Sequence, residues 1–386
     1  MRTKQPLVLS FMPSPSSKLQ MLPLKELFNV QLSSLGVFYQ INDIFMIGPS
    51  FAQDFHRILR KCSSTSRAVR DGFRAIFTAL IWSRHRAASW SDIDISRGSL
   101  ALERLRNAQP STLEEAISIA VLGPTIAAFD CLTMCSGALL VLRHSLSLIK
   151  PWYSQMSQDA ELDPILISPI LWDTVNCLVT GDVPVLEYRF RNLYLVDRVA
   201  GMCTTLMPML YQLCLLGHKI RDSTVEDHFQ SLRTLQRRLT LWSPVLQQES
   251  PGRLTGDDIS AMVSQALMYR SASLLVIHRL SNPLGTADAT GKELADGIIG
   301  LLQNYLTQRG PESKLQHVNF PVFLAMLETT EVPKAIFKVL TVLSVTSITE
   351  LKLKSVIDRV WEQRTKGYSG MLYDLLRSGT DFVVVP

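Results

Sequence analysis

The chain has 386 residues, 47% of them hydrophobic and 19% charged, and a net charge of +5. That balance excludes a mainly disordered polypeptide, and the length suffices for one large buried core or two smaller ones. The charge surplus is local rather than global, so it describes one surface and not the class of the protein.

In chain order, residues 1–25 read as a disordered tail. The apolar run from Pro6 to Met12 is too short for a secretory signal, and Pro13, Pro15 and Pro23 spoil the amphipathic helix that a transit peptide needs. Residues 26–100 read as a helical or irregular region with a basic stretch: Arg57, Arg60, Lys61, Arg67, Arg70, Arg74, Arg84 and Arg86. Asp54 and Asp71 interleave with these cations and no aromatic platform accompanies them, which favours a solvated helix face over a nucleic-acid surface.

From about residue 66 the apolar residues recur at helical spacing and hairpin signals are almost lacking, so the fold class is all-α, a large irregular multi-helix bundle. In "QPSTLEEAISIA", Ser111 or Thr112 offers an N-cap, with Glu114 and Glu115 in the first turn opposing the dipole. The most apolar region, Ile117 to Leu142, is interrupted by Pro124 and Asp130; each half is short for a bilayer, and buried helices with no membrane partner are expected. Residues 151–164 turn polar and read as an exposed connection, a candidate subdomain boundary.

Next, "SPILWDTVNCLVTGDVP" reads as a helix ended at Gly181, and "LVDRVAGMCTTLMPMLYQLCLLGHKI" as a long apolar helix kinked at Pro208. "VEDHFQSLRTLQRRLTLWSP" carries a Leu232, Leu235, Leu239, Trp242 stripe. The last helices are expected over 292–308, 320–327, 332–346 and 349–364, and only the final "FVVVP" suggests extended chain.

Few residues ask for chemistry. The six cysteines (62, 131, 135, 177, 203 and 214) are scattered through apolar segments and read as buried thiols. Cys131 and Cys135 share a helix face, but nothing nearby completes a metal site. Asp257-Asp258 is the only candidate for a diphosphate-binding acidic pair; the position one turn on is Ala261, so a helix cap is the better reading. Asp92 and Asp94 lack an α/β scaffold, and "GYSG" at 367–370 is one residue short of a nucleophile elbow. The seven histidines do not cluster, and His228 sits on an amphipathic surface. No catalytic residue, cofactor or metal is expected.

Six segments together resemble a known family. "ILWDTVNCLVTGDVPVLEYR", "VDRVAGMCTTLMPMLYQL", "LQRRLTLWSP", "MYRSASLLVIHRL", "NFPVFLAMLET" and "VIDRVWEQRTKG" are similar, in this order, to the signature stretches of the fungal-specific transcription factor domain. This is the helical regulatory region that follows a zinc-cluster finger. The resemblance covers roughly residues 165–376, and assigns 101–386 to the regulatory domain. It implies Trp172, Asp173, Asp197, Trp242, Tyr269, Arg270, Pro321 and Trp361 as signature positions. It also implies transcription regulation in the nucleus, loosely of a metabolic or secondary-metabolite gene set, through protein partners, with a homodimer and a small-molecule effector among the candidates. The family's closely spaced cysteines are missing here, so its DNA binding is not carried over: the chain works through a partner, or a finger-bearing exon precedes it. An all-α enzyme with an apolar cavity, cyclase-like, and a membrane-associated or organellar protein are the rival readings.

Arg270 poses a physical question. Val263, Leu267, Arg270, Leu274 and Ile277 lie on one helix face, which puts a guanidinium in an apolar stripe. Either it finds an acidic or carbonyl partner on another helix, with Asp173 or Asp197 as the candidates, or it snorkels to water.

Overall fold

A computed structural model describes residues 46–47, 52–84, 93–189, 191–222, 226–245, 254–310, 315–329, 347–378 and 382–386. The expected tail 1–25, the expected helix 332–346, Asp92 and Arg86 lie outside the described residues, as does the side chain of Arg84. Among the described residues every regular element is a helix, so the protein is all-α.

The first helices, α1 (Ala52–Thr65) and α2 (Arg67–Arg84), begin earlier than the periodicity from residue 66 indicates. Phe55, Ile58, Leu59 and Cys62 bury one face of α1, while Arg57, Arg60, Lys61, Arg67, Arg70 and Arg74 point outward. The basic stretch is therefore an exposed face of two packed helices, and Asp71 on its inner side binds Arg97 (2.9 Å) and Arg104 (2.6 Å).

Those two arginines belong to α3 (Ile95–Arg106), capped by Asp94, whose carboxylate accepts from the Arg97 N–H. Thr112 caps α4 (Leu113–Thr133), and Glu115 reaches back to the Ser111 N–H at 2.7 Å. Contrary to the reading of two halves, α4 runs unbroken through Pro124. A helix-interior proline costs about 3 kcal/mol. Burial of Ala120, Val121, Leu122, Ile126 and Ala127 around it outweighs that.

The helix α5 (Ala138–Ile149) packs antiparallel-fashion back along α4, and the supposed boundary follows it. There the chain makes two 3₁₀ turns and the four-residue α6 (Tyr153–Met156), with Tyr153, Met156 and Leu162 buried. Polar residues between these three anchors gave the segment its loop-like composition. The buried apolar side chains form one cluster from Met46 to Val384, with no break at 151–164.

Next, α7 (Asp163–Thr180) ends as expected on Gly181, left-handed at φ 71°. The long helix expected after it is split. Residues 197–201 close a tight turn, 203–205 form a 3₁₀ turn, and α8 (Met207–Asp222) begins with Pro208 in its first turn. A proline there sacrifices an N–H that has no helical partner anyway, so it starts the helix instead of kinking it.

The Leu232, Leu235, Leu239 stripe of α9 (Glu226–Leu241) is buried. A capping box between Thr255 and Asp258 opens α10 (Gly256–Ser281), which packs along α11 (Asp288–Arg309) and α12 (Asn319–Met326). The chain closes with α13 (Ser347–Thr365), α14 (Leu372–Arg377) and a tail that forms no strand ladder: Val384 exchanges both backbone hydrogen bonds with the Asn176 side chain, at 2.8 and 3.0 Å.

Two helical stretches, Leu113–Thr133 and Ala160–Thr180, are long and apolar enough to cross a membrane. Most of each, 67% and 89%, is buried inside the protein, so their apolar surface is already covered.

Candidate functional site

The internal prolines of α4 and α7 border a shared gap. Pro124 and Pro169 both line an apolar cavity of about 180 Å³. Proline prevents a helix from closing its regular hydrogen-bond ladder and tends to bend it, which is a physical reason for space where these helices meet. The volume exceeds the roughly 150 Å³ of an engineered apolar cavity that takes up benzene. Phe55 and Leu59 of α1, Phe73 and Ile76 of α2, and Ile165 of α7 supply apolar wall, and the start of α13 and the tail reach it through Thr349 and Val385.

Two polar side chains of that wall stand out. Trp172, on α7, is 5% exposed, and its buried indole Nε1 has no hydrogen-bond partner among the described residues. An indole N–H is a donor only, and such a group buried unpaired is costly. Arg198 comes from the 197–201 turn. Its guanidinium carbon lies 3.7 Å from the centre of the Phe55 ring, and its Nε donates to the Pro164 carbonyl at 3.3 Å. The two terminal nitrogens make no hydrogen bond, and no carboxylate within salt-bridge distance pairs with them, among the described residues. Loss of water lowers the Arg198 pKa to about 10, with Asp197 opposing the shift, so the group stays cationic at neutral pH.

Asp197 holds the turn that presents Arg198. Its carboxylate accepts from the Val199 and Ala200 N–H groups, both at 2.8 Å, and its backbone pairs with Gly201. Burial pushes its carboxyl pKa up, against the pull of Arg198 and these donors. Gly201 sits at φ +53°, where a Cβ would fall 2.3 Å from Gln265 Oε1; the position needs glycine on both counts.

The other signature positions are ties between segments rather than parts of one site. Asp173 is fully buried on α7, accepts from the Val185 N–H at 2.6 Å and lies 3.5 Å from Arg143 of α5. Trp242 donates to Thr205 at 3.1 Å, Tyr269 packs on Phe320 with ring centres 5.6 Å apart, Pro321 is buried in α12, and Trp361 donates to the Met326 carbonyl at 3.0 Å. Arg270 is half-buried and donates to the Trp242 carbonyl at 3.2 Å, just past the end of α9. The carbonyl alternative thus holds and the proposed Asp173 or Asp197 pairing is wrong: Asp173 is engaged by the Val185 N–H and Arg143, and Asp197 by the N–H groups of its own turn.

The fully buried arginine is another one. Arg279, 1% exposed and nine residues further along α10, donates to both oxygens of Glu328 (2.6 and 2.5 Å) and to Asp288 (2.8 Å). Arg364 of α13 completes the cluster, 3.1 Å from each of the same two carboxylates. Burial alone would disfavour the Arg279 cation, but Glu328 and Asp288 outweigh it and raise its pKa. Sequence reasoning missed this group because an arginine in the last turn of a helix reads as a dipole partner in water.

The remaining candidates resolve simply. All six cysteines are buried and outside any disulfide; burial raises the thiol pKa of Cys62 to about 11 and raises those of Cys177, Cys203 and Cys214, while a hydrogen bond with Cys135, then burial, raises that of Cys131. Among the described residues no group of His, Cys, Asp and Glu is placed to hold a metal. Asp258 caps α10 and Asp257 pairs with Arg309, so that acidic pair does not face the cavity. Asp94 is a cap, His228 is half-buried on α9, and "GYSG" forms the turn after α13, where the Tyr368 hydroxyl donates to the Met371 carbonyl.

A profile described as the fungal-specific transcription factor domain matches residues 83–383. The chain belongs to that family. It is therefore a transcription regulator by family, with the all-α regulatory domain the resemblance implies and a family role that is regulatory and not enzymatic. The match begins within α2, so α1 and most of the basic face lie outside it. No curated protein and no solved structure matches the chain.

Proposed function

We propose that this fungal transcription factor domain is a nuclear effector domain that senses a small molecule and passes the result to protein partners, in control of a metabolic or secondary-metabolite gene set. One observation carries the reading. Two segments with family signatures, the Trp172 helix and the Asp197–Gly201 turn, meet the N-terminal helices and residues 385–386 around an apolar cavity whose Trp172 and Arg198 keep donors that no described residue accepts. A ligand there touches elements far apart in sequence, and so can bias how they pack and what surface they offer a partner.

The test is to join the chain to an unrelated DNA-binding domain and measure a reporter in a fungal nucleus. Output should depart several-fold from the DNA-binding domain alone and vary with carbon source or precursor feeding. Output equal to the bare DNA-binding domain under every condition would end the reading. On the same reading the purified chain alone gives no salt-sensitive gel shift, because the exposed arginines of α1 and α2 form a solvated face; loss of a shift with rising salt would instead assign them to phosphates.

A further inference from the structure

We propose that the cavity takes a small apolar acid, a single ring or short branched chain bearing one carboxylate, anchored on the Arg198 guanidinium with the Trp172 indole N–H as second donor. This rests on the reading that the cavity holds an effector, and adds what kind.

Size sets the first limit. At about 180 Å³ the space admits one ring with a short substituent, not a sterol or a long acyl chain. The wall sets the second. It is dominated by Phe, Leu, Ile and Val side chains, so most of the ligand must be hydrocarbon.

The polar groups decide the rest. Elsewhere in the described residues most arginines that are at least partly buried have carboxylates: Arg97 and Arg104 share Asp71, Arg143 lies beside Asp173, Arg191 has Asp163, and Arg279 and Arg364 share Glu328 and Asp288; Arg270 and Arg359 spend a terminal nitrogen on a helix-end carbonyl instead. Arg198 has instead a carbonyl on Nε, an aromatic face, and the adjacent Asp197, whose oxygens are engaged by backbone N–H groups. A guanidinium with two open terminal nitrogens offers the fork that a carboxylate fills with two parallel hydrogen bonds. Trp172 adds a donor that no described residue satisfies. Of the other polar lining, His317 Nδ1 lies 3.3 Å from the Pro386 oxygen and is engaged there. Arg198 and Trp172 both donate, so the ligand group that complements them accepts.

Apolar probes that differ only in the end group test this on the purified full chain at neutral pH: 3-phenylpropionate, 3-phenylpropanol and propylbenzene, titrated by calorimetry and thermal shift. The acid should bind at least about tenfold more tightly than the other two. Arg198→Met should bring the acid to the level of the alcohol and leave propylbenzene within about twofold. Trp172→Phe should weaken the acid about three- to tenfold. If Arg198→Met does not fold, the order of the three probes on the unmodified chain still decides, together with the indole ¹⁵N–H signal that is missing from Trp172→Phe: the acid must move it downfield. Equal binding of acid and hydrocarbon, or preference for the alcohol, overturns the acid and leaves the effector reading standing. Failure of all three probes to bind removes both.

Discussion

The cavity and the ion cluster put arginines into similar apolar surroundings with opposite outcomes. At the α10, α11 and α13 end, Arg279 and Arg364 face Glu328 and Asp288, two cations against two anions, with oxygens and nitrogens in direct contact. At the α4 and α7 end, Arg198 and the Trp172 indole keep donors that no described residue accepts. A closed set of charges does its work within the fold, locking four segments together. Open donors in an apolar space leave room for something from outside. The difference lies in partner count, and residue type alone does not reveal it.

Breaking the cluster should have the largest effect. Glu328→Gln removes the carboxylate shared by both arginines and should cost about 3–5 kcal/mol in denaturant unfolding. A loss under about 1 kcal/mol would show that the Arg279–Glu328 pair is wetter than its 1% side-chain exposure indicates. Asp173→Ala should follow, at about 1–3 kcal/mol, because the buried Val185 N–H loses its acceptor and Arg143 its anion.

Acidification acts on the ion-paired carboxylates and on His278 in different pH windows. The Asp71 and Asp288 carboxyls are pushed up by burial but pulled further down by Arg104 and Arg97, and by Arg279 and Arg364, so both end below the usual range. Their stabilisation is complete above the unfolded aspartate value near ~3.9 and is lost as pH falls through the lower folded values. His278 behaves differently: burial, then the Arg279 charge, lowers its pKa from 6.5. The unfolded chain then binds the extra proton first, so stability declines as pH falls below 6.5 toward the folded value. Thermal unfolding should show a shallow loss there, absent in His278→Gln, and a steeper one below about pH 4. A profile that stays flat to pH 3 would contradict the ion-pair geometry.

Arg270→Met should cost less than about 1.5 kcal/mol, since it removes one 3.2 Å bond to the Trp242 carbonyl from a half-buried group. At the small end, Ala128→Met on the cavity wall should change stability by under about 1 kcal/mol while abolishing uptake of 3-phenylpropionate, because it fills existing space. Uptake that survives this substitution would move the binding site away from the cavity.

The sequence alone carried the all-α class, the Thr112 and Gly181 helix ends, the Leu232, Leu235 and Leu239 stripe, the buried thiols and the family. Each is a local pattern: a cap, a breaker, a period of 3.6, or an ordered set of motifs. What it misjudged needed the third dimension. Pro124 looks like a helix end until the burial around it is counted, and 151–164 looks like a boundary until Tyr153 and Met156 are seen filling the core. Arg270 breaks an apolar stripe, yet one of its terminal nitrogens reaches a helix-end carbonyl while its buried Nε has no described partner; Arg279, in the last turn of the same helix, is the one wholly enclosed. Whether a polar side chain in an apolar helix ends up paired, wet or open to a ligand depends on residues dozens of positions away, such as Glu328 for Arg279 and Pro164 for Arg198. Periodicity fixes which face a residue occupies; only packing decides what that face meets, because hydrogen bonds and ion pairs act over a few ångströms and the chain brings those few ångströms together last.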